Sequence, residues 1–288
     1  GCNRTCSFCA IPLMRGQHVS KPIETLVTEA ERLVQQGVKE VMLIAQELTC
    51  YGLDIYKKRM LADLLQRLAD VKGLEWIRLH YAYPSKFPLE VLDVMRERDN
   101  ICNYLDIPLQ HASDAMLKAM RRQITRSEMN ELIAAIREKV PGICLRTTLI
   151  AGFPGETEQD VEALKDFLVH HRFDRVGIFT YSHEEGTAAF GLEDNVPAAE
   201  KERRAQLIMD VQQDISYEKN QEKVGKVFKT IIDRKEAGRY LGRTEADSVE
   251  VDNEVIINGS GKLPVGEFVN VRITKAYDYD LEGEVVKE

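Results

Sequence analysis

The chain has 288 residues, of which 44% are apolar and 30% charged, with a net charge of −8. That size holds one large domain or two, and the composition is that of an ordinary globular protein. No window approaches the roughly 20 apolar residues of a membrane span, and the negative balance argues against broad nucleic-acid binding.

In chain order, the first feature is "GCNRTCSFCAIP", which sets Cys2, Cys6 and Cys9 as C-x3-C-x2-C. The other thiols, Cys50, Cys102 and Cys144, are scattered through apolar segments and read as core. This is a poor disulfide framework and reads as a reduced, cytosolic chain with a metal site. An alternation follows. Ser20 as N-cap and Gly37 as C′ residue bracket a helix, because Ile23, Leu26, Val27, Ala30, Leu33 and Val34 recur at helical spacing. "VKEVMLIA" is an apolar β-branched run and reads as a buried strand. The pattern repeats: helices near 61–71, 89–98, 126–139 and 158–170 precede the strands "LEWIRLHYA", "YLDIPL", "ICLRTTLIAG" and "RVGIFTYS". Such βα units predict a mainly parallel sheet of five strands in α/β architecture.

The pattern changes near residue 198. A charged helix over about 198–222 leads into "KVFKTIIDRK", "RYLGRTE", "SVEVDNEVIIN", "FVNVRITKAY" and "LEGEVVKE", separated by Gly, Asn and Pro. This predicts a small five-stranded antiparallel β-barrel. The domain division expected is 1–222 and 223–288.

The cysteine spacing carries the chemistry. A structural zinc site closes with four ligands, and His18 is the one nearby candidate for a fourth. A [4Fe–4S] cluster also normally takes four thiolates, so three leave one iron open to a small molecule. C-terminal ends of parallel strands are where such folds place chemistry.

C-x3-C-x2-C with Phe8 before its last cysteine resembles the radical S-adenosylmethionine (SAM) superfamily. "GCNRTCSFCAIPLMRG", "DIPLQHAS", "TTLIAGFPGET" and "YSHEEGTAAF" narrow the resemblance to the methylthiotransferases. It covers essentially the whole chain, and the C-terminal module is similar to a TRAM domain. "LHYAYPSKFP" and "YLDIPLQHAS" resemble the branch that modifies an aspartate β-carbon of a small-subunit ribosomal protein. The branch that modifies a tRNA adenosine is the alternative, and a non-catalytic metal-stabilised RNA-binding module is the alternative of another class.

The resemblance implies an open partial (β/α) barrel of radical SAM type. It also implies a [4Fe–4S] cluster on Cys2, Cys6 and Cys9, SAM at the open iron, and reduction by an electron donor. Hydrogen abstraction is then carried by the cofactor, with no catalytic side chain required. Gln46 and Gln110 at strand ends, Arg146 inside a strand and Gly152 of "GFPGET" are the candidate SAM contacts. Gln110 and His111 end one strand and read equally as a mutually satisfied pair or as a substrate contact, while His170 and His171 read as partners of a helix dipole. The family carries a further N-terminal domain with a second cluster, and this domain is expected to be missing from the chain. From residue 224 onward 10 Lys and Arg face 13 Asp and Glu, concentrated in "TEADSVEVDNE" and "YDYDLEGEVVKE". That balance predicts that the module, in a monomeric cytoplasmic protein, grips a basic ribosomal protein and binds tRNA weakly.

Overall fold

The computed structural model describes residues 1–258 and 262–286. The cysteine loop runs into a short helix, α1 (Ile11–Arg15), and then into the alternation: α2 (Ile23–Gln35), β1 (Glu40–Leu43), α3 (Leu61–Ala69), β2 (Trp76–Leu79), α4 (Glu90–Glu97), β3 (Ile101–Asp106), α5 (Asp114–Ala119), α6 (Arg126–Lys139), β4 (Cys144–Ala151), α7 (Glu158–His171), β5 (Arg175–Thr180) and α8 (Ala198–Gln221). The five strands form one sheet in the order β1-β2-β3-β4-β5. Every neighbouring pair is parallel, so the sheet is the open barrel expected. Its helix-facing core is continuous, from Leu64, Leu65 and Leu68 of α3 through Ile77 and Leu105 to Leu164, Phe167 and Leu168 of α7.

Local chemistry explains most boundaries. Thr125 and Thr157 close reciprocal capping boxes with Glu128 and Asp160, starting α6 and α7 where their first N–H groups would otherwise be orphaned. Gly37 takes φ 92° just beyond α2, as its predicted stop requires. The start of α2 differs. Pro22 occupies the N-cap, and Ser20 is buried with its hydroxyl accepting the Gly52 N–H at 3.0 Å. Helices α1 and α5 were not foreseen, because five or six residues are too few to show a helical period.

The C-terminal module comprises β6 (Val227–Glu236), β7 (Arg239–Thr244), β8 (Val255–Asn258), β9 (Phe268–Ala276) and β10 (Leu281–Val285). They close a barrel in the order β10-β8-β7-β6-β9 around Ile232, Tyr240, Val255, Ile257, Val271 and Ile273. The β8–β10 seam is parallel and the other seams antiparallel. The last two residues of the expected "LEGEVVKE" strand lie outside the described residues.

One predicted strand is corrected. "SVEVDNEVIIN" is extended only at its end, as β8. The preceding segment leaves the small barrel and reaches side chains of the large sheet. Arg78 donates to the Glu245 carbonyl at 2.5 Å, and Arg175 pairs with Asp247 at 2.6 Å. The Ser248 hydroxyl meets His80 Nε2 at 2.9 Å, and Tyr104 donates to Asp252 at 2.7 Å. Trp76, Cys102, Tyr104, Cys144 and Ile231 form an apolar cluster at the same junction. Of the acids in this segment, Asp247 neutralises buried Arg175 and Asp252 pairs with Arg146 of the sheet, whereas Glu254 pairs with exposed Arg234 of the small barrel and Glu250 is exposed. Part of the module's negative charge is thus compensated within the fold.

Candidate metal and cofactor site

The thiol loop is held from several sides. Cys2 N–H donates to the Gly16 carbonyl at 3.1 Å and Ser7 N–H to the Met120 carbonyl at 3.0 Å. Ala189 N–H donates to the Ser7 carbonyl at 2.7 Å, and the Ser7 hydroxyl to Ala119 O at 2.7 Å. Ties to α5 and to the turn around Ala189 place Cys2, Cys6 and Cys9 at a cleft of about 340 Å³. The cleft lies over the segments that follow β1, β2 and β3, where an open α/β sheet leaves its crevice. Gln46, Gln110, Arg146 and Thr148 also line it, with Phe8, Tyr81 and Phe179 around them.

The donor set fits a cluster better than a single ion. Among the described residues no three His, Cys, Asp or Glu side chains converge on one ion position. A cluster puts each thiolate on a separate iron, so convergence is not needed. His18, the candidate fourth zinc ligand, is buried elsewhere, with Nε2 3.1 Å from the Ser20 hydroxyl. Burial raises the Cys2 and Cys9 thiols above their usual pKa, and charge on neighbouring thiolates adds to this. A bound cationic core would reverse both effects.

Residues beyond the spacing pattern complete the site. Tyr83 is buried against two guanidinium groups, with Arg4 at 3.9 Å and Arg122 at 4.4 Å from its ring centroid. Arg4 pairs with buried Glu47 at 3.3 Å. Arg122 Nη1 donates to Cys6 Sγ at 3.2 Å, and Nη2 to the Pro108 carbonyl. The Tyr83 hydroxyl donates to the Arg122 carbonyl at 2.6 Å. Arg122 stands 116 residues from Cys6, so no spacing rule could have found it. Arg4 could have been noticed as the charged residue between two cysteines. Cys50 departs from the core reading: it is half-buried, 3.8 Å from Arg4 Nη2, and burial followed by Glu47 pushes its thiol up to about 12.

Gln46 is exposed at the cleft and Gln110 half-buried. Gln110 and Tyr81 have φ of 76° and 59°, conformations costly for residues with a Cβ. Gln110 is held there by β-type bonds to β4, its N–H to the Thr148 carbonyl and its carbonyl from the Ile150 N–H, both at 2.8 Å. Arg146 reaches the cleft while paired with Asp106 at 3.0 Å and Asp252 at 3.2 Å. The guanidinium thus lines the cleft and serves a structural ion pair at once.

Gly152 is a correction. It does not line the cleft. At φ +75° it faces α8, where a Cβ would fall 2.2 Å from Lys201 Cγ, so glycine admits the close approach of the helix. His111 is fully buried, its Nδ1 accepting the Ala112 and Ser113 N–H groups at 2.9 Å and so bracing the turn that leads into α5. His171 is not a charged dipole partner. Burial, then the neighbouring His170, lowers its pKa to about 4.

Comparison with known proteins follows the same lines. The profile of the radical SAM superfamily matches residues 1–168, and that of the TRAM domain residues 224–286. A relative named ribosomal protein uS12 methylthiotransferase RimO, from Flavobacterium johnsoniae, is 59% identical over 285 residues, which is 99% of this chain and 65% of the relative. The protein of that name from Cytophaga hutchinsonii is 57% identical over 100% of this chain and 66% of its own length. The one from Bacteroides thetaiotaomicron is 53% identical, again over 100% of this chain and 66% of its own length. The chain thus spans about 65% of the length of the first of these relatives. Among solved structures, the radical SAM methyltransferase TsrM from Kitasatospora setae superposes with a TM-score of 0.51 at 23% identity, over 62% of this chain and 35% of TsrM. Methylornithine synthase PylB gives 0.51 at 16% identity, over 73% of this chain and 60% of its own. These two likenesses concern the fold alone.

Proposed function

This chain belongs to the radical SAM superfamily, and from that premise we propose that it is the radical SAM and TRAM portion of a methylthiotransferase. Its substrate on this reading is the β-carbon of an aspartate in the small-subunit ribosomal protein uS12. The observation that carries the reading is the thiol triad at the strand-end cleft, in a chain 59% identical to a uS12 methylthiotransferase over 99% of its length.

The residues divide the work. Cys2, Cys6 and Cys9 would hold a [4Fe–4S] cluster, leaving one iron for SAM. When bound, cluster and SAM supply the one-electron chemistry that removes hydrogen from an unactivated carbon, and a second SAM supplies the methyl group. Gln46, Gln110, Thr148 and Arg146 present amide, hydroxyl and guanidinium groups to a ligand with amino, carboxylate and ribose functions. Phe8, Tyr81 and Phe179 form an aromatic wall of the cleft against which bound substrate would exclude water beside the reacting carbon. Asp106 and Asp252 fix Arg146 from behind. On the same reading 1–222 and 223–288 are the two domains, the protein works in the cytoplasm as a monomer with an external electron donor, and sulfur comes from a second cluster outside these residues. No helix among the described residues is long and apolar enough to cross a membrane.

The test is anaerobic reconstitution of the chain with iron and sulfide, followed by reduction in the presence of SAM. Three to four irons per chain and release of 5′-deoxyadenosine are expected. With the full-length protein, uS12 should gain the mass of one methylthio group at an aspartate. Modification of tRNA in its place would move the assignment to the other branch.

A further inference from the structure

Among the described residues five arginines are buried: Arg78, Arg122, Arg175, Arg204 and Arg243. Four have a carboxylate against the guanidinium. Arg78 has Glu40 at 2.8 Å, Arg175 has Asp247 at 2.6 Å, Arg204 has Glu200 at 2.7 Å, and Arg243 has Glu40 and Asp233, each at 2.7 Å. Arg122 is 4% exposed and has no carboxylate partner among the described residues. Its Nε has no hydrogen-bond partner among the described residues, and its Nη1 points to Cys6 Sγ at 3.2 Å. Arg4, which also packs on the Tyr83 ring, differs in being neutralised by Glu47. A buried cation without counter-charge is costly. The anion that Arg122 lacks is therefore to be sought on the Cys6 side.

We propose that Arg122 is a positioning residue for the iron–sulfur centre, which holds the Cys6 thiolate by a charge-assisted N–H···S bond and raises the reduction potential of the cluster. The inference rests on the cluster assignment given above. Three thiolates outweigh the charge of an oxidised four-iron core, so the loaded site is anionic and supplies the missing counter-charge. Reduction by an external one-electron donor adds one further negative charge and breaks no bond. A fixed cation in a desolvated position favours the more negative state. Hydrogen bonds to the sulfurs act in the same direction. The Pro108 carbonyl and the Tyr83 ring hold the guanidinium in place, so little reorganisation accompanies electron transfer.

The test compares the full 288-residue chain with Arg122→Lys and Arg122→Gln after anaerobic reconstitution. Iron and sulfide are counted, folding is checked by circular dichroism, and the reduced-cluster EPR signal is titrated against ambient potential. Arg122→Gln should lower the reduced-to-oxidised ratio at a fixed potential about tenfold, a shift of about 59 mV for one electron. Arg122→Lys, which keeps the charge but not the fork, should fall between it and the wild type. A purely structural role would change occupancy or melting and leave the potential of the loaded clusters where it was. A wild-type chain that loads no four-iron cluster overturns the cluster assignment and this inference together. Loaded Arg122→Gln at the wild-type potential overturns the inference alone. Should Arg122→Gln fail to fold, Arg122→Lys decides, since a potential at or above the wild-type value overturns the proposal and a lower one supports it.

Discussion

Replacing Asp247 by alanine strips the counter-charge from Arg175 while leaving that guanidinium buried at the domain junction. Asp247 Oδ1 accepts from Arg175 Nη2 at 2.6 Å and from Nε at 3.2 Å, and Oδ2 accepts from Thr244 at 2.8 Å. Burial opposes both charges, yet the pair prevails. Arg175 is raised in pKa, foremost by Asp247, and Asp247 is lowered, foremost by Arg175. Breaking one side of a buried pair costs about 3–5 kcal/mol. Arg175 Nη1 keeps its bond to the Asp174 carbonyl at 2.8 Å, which favours the lower end. At about 2 °C per kcal/mol for a chain of this size, the melting midpoint should fall by about 6–10 °C. Trp76, the single tryptophan, stacks edge-on against Phe268 of the module at 4.7 Å, so its fluorescence reports the junction itself. Adding Arg175→Met to Asp247→Ala should restore more than half of the loss, because the uncompensated charge is gone. The folded pKa of Asp247 lies below its unfolded value, so its contribution is complete above about pH 4 and fades as pH falls below that. Asp247→Ala should lose that part of the acid sensitivity. A variant that melts within about 2 °C of the wild type, with tryptophan emission unchanged, would refute the account, as would simple additivity of the two substitutions.

Cys2→Ala, Cys6→Ala and Cys9→Ala should each abolish the charge-transfer absorbance of the reconstituted cluster, whereas Cys102→Ala and Cys144→Ala, buried at the domain junction, should keep the wild-type iron count. Gly152→Ala forces a Cβ onto Lys201 at positive φ and should destabilise the fold by about 1–3 kcal/mol in a denaturant titration. Its SAM affinity per folded molecule should match the wild type, because the residue is away from the cleft. His171, with its folded pKa lowered to about 4, favours the neutral ring. Stability should therefore decline as pH falls from about 6.5 toward 4, because the unfolded chain binds the extra proton. His171→Gln should flatten that decline in melts taken across the range.

What the sequence determined by itself is local or periodic. Three thiols within eight residues point to a metal site before any tertiary contact is known. Apolar residues at helical spacing and β-branched runs between turn signals yield a parallel sheet and a small barrel, because each element must bury one face. Tertiary structure alone decided which distant groups meet. Arg122 reaches Cys6 only because α5 ends against the thiol loop, and Tyr83 meets Arg4 and Arg122 only because the segment after β2 delivers it there. Gly152 looked like a ligand-approach turn, and the chain around it gave no hint that α8 would press on it. The acids of "TEADSVEVDNE" carry the same formal charge on either reading. Whether they meet solvent, a partner or the buried arginines of the sheet depends on where the module docks. Charge is a property of residues, but its use is set by the low-dielectric surroundings that only the folded chain assembles.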